Sequence, residues 1–162
     1  MKTNSAFLTI GAIVALAAVN TASAQTATQT VTFQVSAINQ VAVTGAPSLT
    51  INAAVAGSAP TAATSAGNTW SVTTNQTGAS ITASIPSAMP AGVTLSANLT
   101  APAGATSTGL TALGTTAVNV VTGITKLNAA GLALSYQLDA TSAAGVIASA
   151  TRVVTYTITG GV

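Results

Sequence analysis

Apolar residues in this chain recur every second position wherever a periodicity can be read, and Thr, Ser, Gln and Asn fill the positions between them. A period of two places alternate side chains on opposite faces of an extended backbone, so the pattern specifies half-buried strands and leaves room for helix only in short pieces. The clearest run is Thr28 to Ile38 (TQTVTFQVSAI), with Val31, Phe33 and Val35 on one face and Thr30, Thr32, Gln34 and Ser36 on the other. Further strands are predicted over Ser48 to Val55, Thr69 to Thr74, Ser80 to Ile85, Val93 to Thr100, Ala117 to Ile124, Leu132 to Asp139 and Arg152 to Thr159. Turn formers separate them: Thr44-Gly45-Ala46-Pro47, Gly57-Ser58-Ala59-Pro60, Asn75 to Gly78, Pro86 to Gly92 and Ala101 to Gly104. Ala56 to Asn68 and Ala140 to Ala150 are low in complexity and read either as mobile loops or as ordered connections of small residues. No repeat of fixed period accompanies the strands, which argues against a solenoid. The fold class that follows is all-β: a single Ig-like antiparallel β-sandwich of about seven to nine strands.

Residues 1–24 stand apart from this pattern. Lys2 precedes the 14-residue apolar run Ala6 to Val19, and Ala22-Ser23-Ala24 supplies a small-x-small cleavage site before Gln25. These are the parts of a secretory signal peptide, and the apolar run is shorter than the roughly 20 residues that cross a bilayer. The reading is a cleaved signal over 1–24, a single sandwich domain over 25–162, and a secreted or cell-surface location, extracellular or periplasmic, with no membrane span in the mature chain. Four aromatics remain after processing, too few for the two aromatic girdles of a membrane β-barrel.

The processed chain would keep three charged side chains, Lys126, Asp139 and Arg152, and it has no His, Cys or Glu. Acid–base catalysis needs two carboxylates or a His, and only Asp139 is present. Metal sites need clusters of His, Cys, Asp or Glu, so no catalytic, metal or cofactor site is expected and the protein reads as no enzyme. A Ser nucleophile would have Lys126 alone as its base, and Lys126 sits in a predicted loop tip, Gly123 to Asn128. Nucleic-acid binding, which needs several phosphate-neutralising cations, is excluded. Without Cys no disulfide restrains the unfolded chain, and the core alone must hold the domain.

A surface with so few ions must be wetted by hydroxyls, and Thr occupies about a fifth of the mature positions, with Ala close to it in number. A net charge near +1 is below the magnitude of about 2 to 8 that keeps small domains apart. Unpaired strand edges are ordinarily defended by Lys or Pro, and none lies within the predicted strands. Self-association is therefore the expected partnership, with other surface proteins or glycans as further candidates. Between about pH 5 and pH 9 almost nothing but the α-amino group titrates, so stability is expected to be flat across that range.

Leu134, Tyr136 and Leu138 alternate inward in one ribbon and Val154, Tyr156 and Ile158 in another, so both Tyr rings are predicted to fill the core. The rival use of Trp70, Tyr136 and Tyr156 is a carbohydrate-stacking platform. Asp139 and Arg152 end and begin successive strands and are candidates for a surface ion pair near the loop between them, worth at most about 1 kcal/mol. Asn75-Gln76-Thr77 and Asn98-Leu99-Thr100 match the glycosylation acceptor pattern. Thr155, Thr157 and Thr159 form a Thr-x-Thr-x-Thr ladder, as do Thr28, Thr30 and Thr32; aligned on paired strands they would make an ice-matching face.

The order of features, an apolar leader, an early alternating strand, a TWSVTTN strand ending at Asn75 and a closing VVTYTIT strand, resembles secreted bacterial β-sandwich proteins of the pilin and spore-coat-protein-U type. The disulfide common in those families is absent here. The resemblance implies polymerisation by donor-strand exchange, in which the leading strand of one subunit completes a sheet of the next. Gln25 to Ile38, uncharged and apolar on the face of Val31, Phe33 and Val35, suits that use and equally suits the first strand of a closed monomer. The reading is thus a non-catalytic structural subunit of a surface fibre, coat or matrix, with a secreted adhesin or carbohydrate-binding sandwich acting as a monomer as its alternative.

Overall fold

The computed structural model describes residues 23–162, and the signal peptide assigned to 1–24 lies, except for its last two residues, outside them. The chain divides into two units, residues 1–34 and 35–162. The described part of the first, 23–34, contains no strand or helix.

The second unit is an antiparallel β-sandwich. Its strands are β1 (Asn39–Thr44), β2 (Ala63–Thr74), β3 (Ala79–Ser84), β4 (Val93–Leu99), β5 (Thr106–Ser107), β6 (Thr111–Ala112), β7 (Val118–Ile124), β8 (Leu127–Ala140) and β9 (Thr155–Thr159). One sheet has the order β1-β2-β8-β4-β6 and the other β5-β7-β3-β9. After the β1–β2 hairpin every connection passes from one layer to the other, so successive strands alternate between sheets. That topology explains how Thr125-Lys126 suffices between β7 and β8: the link turns a corner rather than closing a hairpin.

The period-two pattern sorts side chains as it should. Ala79, Ile81 and Ala83 of β3 are buried and Ser80, Thr82 and Ser84 are not. Trp70, Val72, Ile81, Ile85, Leu99, Val120, Val121, Ile124 and Leu134 are the large residues of the core between the layers. Three interruptions in the ladders carry glycines in left-handed conformation: Gly67 and Gly131 at the two β2–β8 register shifts, and Gly123 where β7 slips against β3. An extra residue in one strand needs such a conformation, which glycine adopts without a Cβ penalty.

Several expectations are corrected. Thr28 to Ile38 forms no strand, and regular pairing begins only at Asn39. Ser48 to Val55 forms none either: Leu49 and Ile51 are half-buried as their alternation requires, but the only bridge there joins Ala54 to Pro60. Part of the low-complexity stretch, Ala63 to Asn68, is instead the start of β2, because β8 extends far enough to pair with it. The loop after β8 contains the one helical turn among the described residues, a 3₁₀ turn over Ser142–Ala144.

Candidate functional site

Three groups of residues bear on function: the charged side chains, the aromatics, and the two edge strands with the segment that precedes them.

The charged groups do not converge. Asp139 on β8 and Arg152 ahead of β9 are not paired, which corrects the predicted ion pair. Both Asp139 carboxylate oxygens accept from Gln137 Nε2 at 3.0 Å. Arg152 Nη1 donates to the Thr151 carbonyl at 2.9 Å and Nη2 to that of Ala88 at 3.2 Å. The reason is topological: β8 and β9 belong to opposite sheets and make no hairpin, so adjacency in sequence does not bring their ends across from one another. Among the described residues no group of three His, Cys, Asp or Glu could hold a metal ion. Lys126 is exposed at the β7–β8 corner with a left-handed φ of 42°, held there by its N–H donating to the Gln76 carbonyl at 2.9 Å. That conformation costs a side-chain-bearing residue about 1–2 kcal/mol that glycine avoids. Lys126→Gly is accordingly expected to leave the urea midpoint unchanged or raise it, by up to about 1 kcal/mol of stability; a loss larger than that would mean the lysine side chain has a structural partner.

The aromatics point inward. Trp70 is buried, and its indole Nε1 donates to the Thr100 carbonyl at 3.1 Å. Tyr136 on β8 is buried, Tyr156 on β9 is half-buried, and the Tyr156 hydroxyl donates to that of Tyr136 at 3.0 Å, a bridge between the two sheets. Burial pushes both phenols above the ordinary tyrosine range, and for Tyr156 its donated hydrogen bond and the charge of an ionised Tyr136 push in the same direction. No outward stacking platform exists at these three positions. The raised pKa values mean that the unfolded chain gives up phenolic protons above about pH 10 while the folded chain keeps them, so the pair's contribution is complete below pH 10 and declines as pH rises beyond it. Urea midpoints measured from pH 7 upward are expected to hold level to about pH 9.5 and then fall. Tyr156→Phe, which leaves the Tyr136 hydroxyl buried without its donor, is expected to cost about 1–2 kcal/mol and to soften that alkaline decline.

Comparison with protein-family models, with curated proteins and with solved structures returned no match. The functional reading therefore rests on the chain's own surfaces.

Thr155, Thr157 and Thr159 are exposed on β9 beside Ser84, Thr82 and Ser80 of β3. The second Thr ladder, Thr28 to Thr32, is in no strand. Of the acceptor triplets, Asn98 is exposed on β4, whereas the Asn75 side chain is occupied. Its Oδ1 accepts from the Ile38 N–H at 2.8 Å and its Nδ2 donates to the Ser36 carbonyl at 2.8 Å, while its own N–H reaches the Ile38 carbonyl at 3.2 Å. Sequence inspection marked Asn75 only as a glycan acceptor; its place at the end of β2, beside the entry to β1, is what turns it into a clamp on residues 36–38. At the same pole the corners 75–78 and 125–126 are joined by Lys126 N–H to Gln76 O and by Gly78 N–H to Thr125 Oγ1 at 3.1 Å, and Thr77 exchanges backbone hydrogen bonds with Val162. A shallow depression here is lined by Ile38, Thr74, Asn75, Lys126 and Asn128 among others, with Lys126 its one titratable side chain.

Ahead of that clamp, Val31, Phe33 and Val35 are 72%, 88% and 77% exposed. Three large apolar side chains at alternating positions, uncharged and unpaired, are the most anomalous surface feature of the described chain.

Proposed function

We propose that the protein is a non-catalytic, exported structural subunit that assembles with copies of itself into a surface fibre, coat or matrix by β-strand addition, with the part of Gln25 to Ile38 that precedes the Asn75 clamp as the donated strand. The observation that carries this reading is the exposure of Val31, Phe33 and Val35 on a segment whose alternation suits a strand but which pairs with no strand among the described residues. Burying a side chain of this size contributes about 1.5–3 kcal/mol, so a neighbour offering an apolar cleft would gain substantially from all three. Backbone groups of the segment would be satisfied in the same step, since strand addition supplies main-chain hydrogen bonds for affinity and side-chain pockets for register. The near absence of charge supports the reading too, because association of neutral copies meets little repulsion.

Export supplies the compartment in which such assembly would occur, and it rests on the leader features of residues 1–24. Purified residues 25–162 are expected to sediment as species growing with concentration and to form regular assemblies under the electron microscope. A chain that remains monomeric at millimolar concentration would refute the assembly.

A further inference from the structure

The sandwich is closed on one flank and open on the other. At the flank of β5 and β6 the edge strands are two residues long, and the neighbouring Leu99, Leu113 and Val120 are buried. Short edges are one of the ordinary devices that stop sheets from pairing further. At the opposite flank β1 and β9 lie against each other, six and five residues long, with no charged residue and no Pro in either. Among the described residues β1 pairs only with β2 and β9 only with β3, so each presents an unpaired backbone edge. The interior is under-covered here. Val41 of β1 packs on the core, yet Val43, which shares its face, is 45% exposed, and Val154, Tyr156 and Ile158 remain half-buried.

Resting on the assembly proposed above, we infer that this flank is the acceptor and that residues 28–36 of a second copy add as a fifth strand to the outer edge of β9, with Val31, Phe33 and Val35 turned between the layers. Two features select β9 over β1: the length of its layer and the spacing of its apolar residues. The sheet ending in β9 has four strands against five, so an added strand extends the shorter layer over the exposed inner face of β1. The β3–β9 ladder, like that of β1 and β2, is regular over all its pairs, so an unbulged edge admits an incoming strand without itself deciding between the two. Val154, Tyr156 and Ile158 also repeat at the same spacing as Val31, Phe33 and Val35, so each donated side chain gains a cross-strand apolar neighbour. Length is sufficient: at about 3.3 Å per residue, nine residues span roughly 30 Å against roughly 17 Å for β9. Donor and edge are both uncharged, so no ion is desolvated.

The chain's lack of Cys makes the test direct. One copy carries Gln34→Cys; a second, tagged to differ in mass, carries Thr155→Cys or Thr157→Cys on β9, Ala42→Cys on β1 or Thr106→Cys on β5. Mixed and oxidised under assembling conditions, the β9 partners are expected to give the mixed-mass disulfide dimer at least tenfold more than the other two. A dominant cross-link to β1 or β5 would overturn the edge assignment while leaving strand addition intact. Assembly without any cross-link would overturn it as well, as would a Gln34→Cys, Thr157→Cys double variant that closes within single chains at high dilution. Sedimentation of every mixture as monomer would defeat the assembly reading itself, a result separable from the failure of the edge.

Discussion

A chain beginning at Val35 is expected to lose assembly altogether while keeping its fold. Residues 25–34 form no strand, and none of the sandwich's ladder partners lies among them, so removing them takes no backbone pairing from the domain. Ser36 and Ile38 remain, and with them the three hydrogen bonds to Asn75 that hold the entry to β1. The melting temperature should therefore stay within a few degrees of that of residues 25–162, whereas the concentration-dependent species should vanish from sedimentation profiles. A graded version separates the side chain from the backbone. Phe33→Ala removes the largest of the three exposed apolar groups, and if that ring is buried in a neighbour the loss is about 3 kcal/mol or more, on the order of 100-fold in association. Phe33→Asp should abolish association at any practical concentration, since an unpaired carboxylate would have to enter an apolar layer. Neither change should move the melting temperature of the monomer. A truncated chain that polymerised like its parent would show that some other surface carries the contact.

The same segment shows where inference from sequence stops. Thr28 to Ile38 has the most regular alternation in the chain, and alternation reports that a segment can present one apolar face; it does not report what covers that face. In β3, β4, β7, β8 and β9 the reading was right to within a few residues at most boundaries, because their inward residues, such as Ile81, Leu95, Val120 and Leu134, meet the opposite layer. Tyr136 and Tyr156 turned inward for the same reason. β5 and β6, two residues each, exist only because β7 and β4 offer them partners, and nothing local marks them. β1 carries Val41 and Val43 alone as its large apolar signal, an alternation too short to mark a strand by itself. Sheet membership was the harder loss. Once β8 and β9 are known to lie in opposite layers, the separation of Asp139 from Arg152 and the union of the two tyrosine hydroxyls follow together, but no residue in either strand encodes that choice locally.

Trp70→Ala is expected to remove a large part of the domain's stability. Trp70 is buried between the layers, and replacing such a residue by alanine costs about 3–5 kcal/mol, the spread reflecting how far the surroundings collapse into the space. The Thr100 carbonyl also loses its indole donor, about 1 kcal/mol more. A domain of this size has roughly 5–15 kcal/mol in total, and here no disulfide limits the freedom of the unfolded chain. At roughly 4 °C per kcal/mol, the midpoint should fall by about 12–20 °C or more, enough to leave a marginal domain partly unfolded at physiological temperature. Trp70→Phe keeps most of the packing and should fall between the two. Because Trp70 is the chain's single tryptophan, its fluorescence reads the same site without mutation. Emission should be blue-shifted in the native state, shift to that of free indole on unfolding, and resist quenching by acrylamide. A solvent-exposed spectrum in the folded protein, or quenching by added sugars, would instead place the indole at the surface and revive a stacking role. The two outcomes cannot coexist, since an indole donating to the Thr100 carbonyl between two sheets has no face left for a ligand.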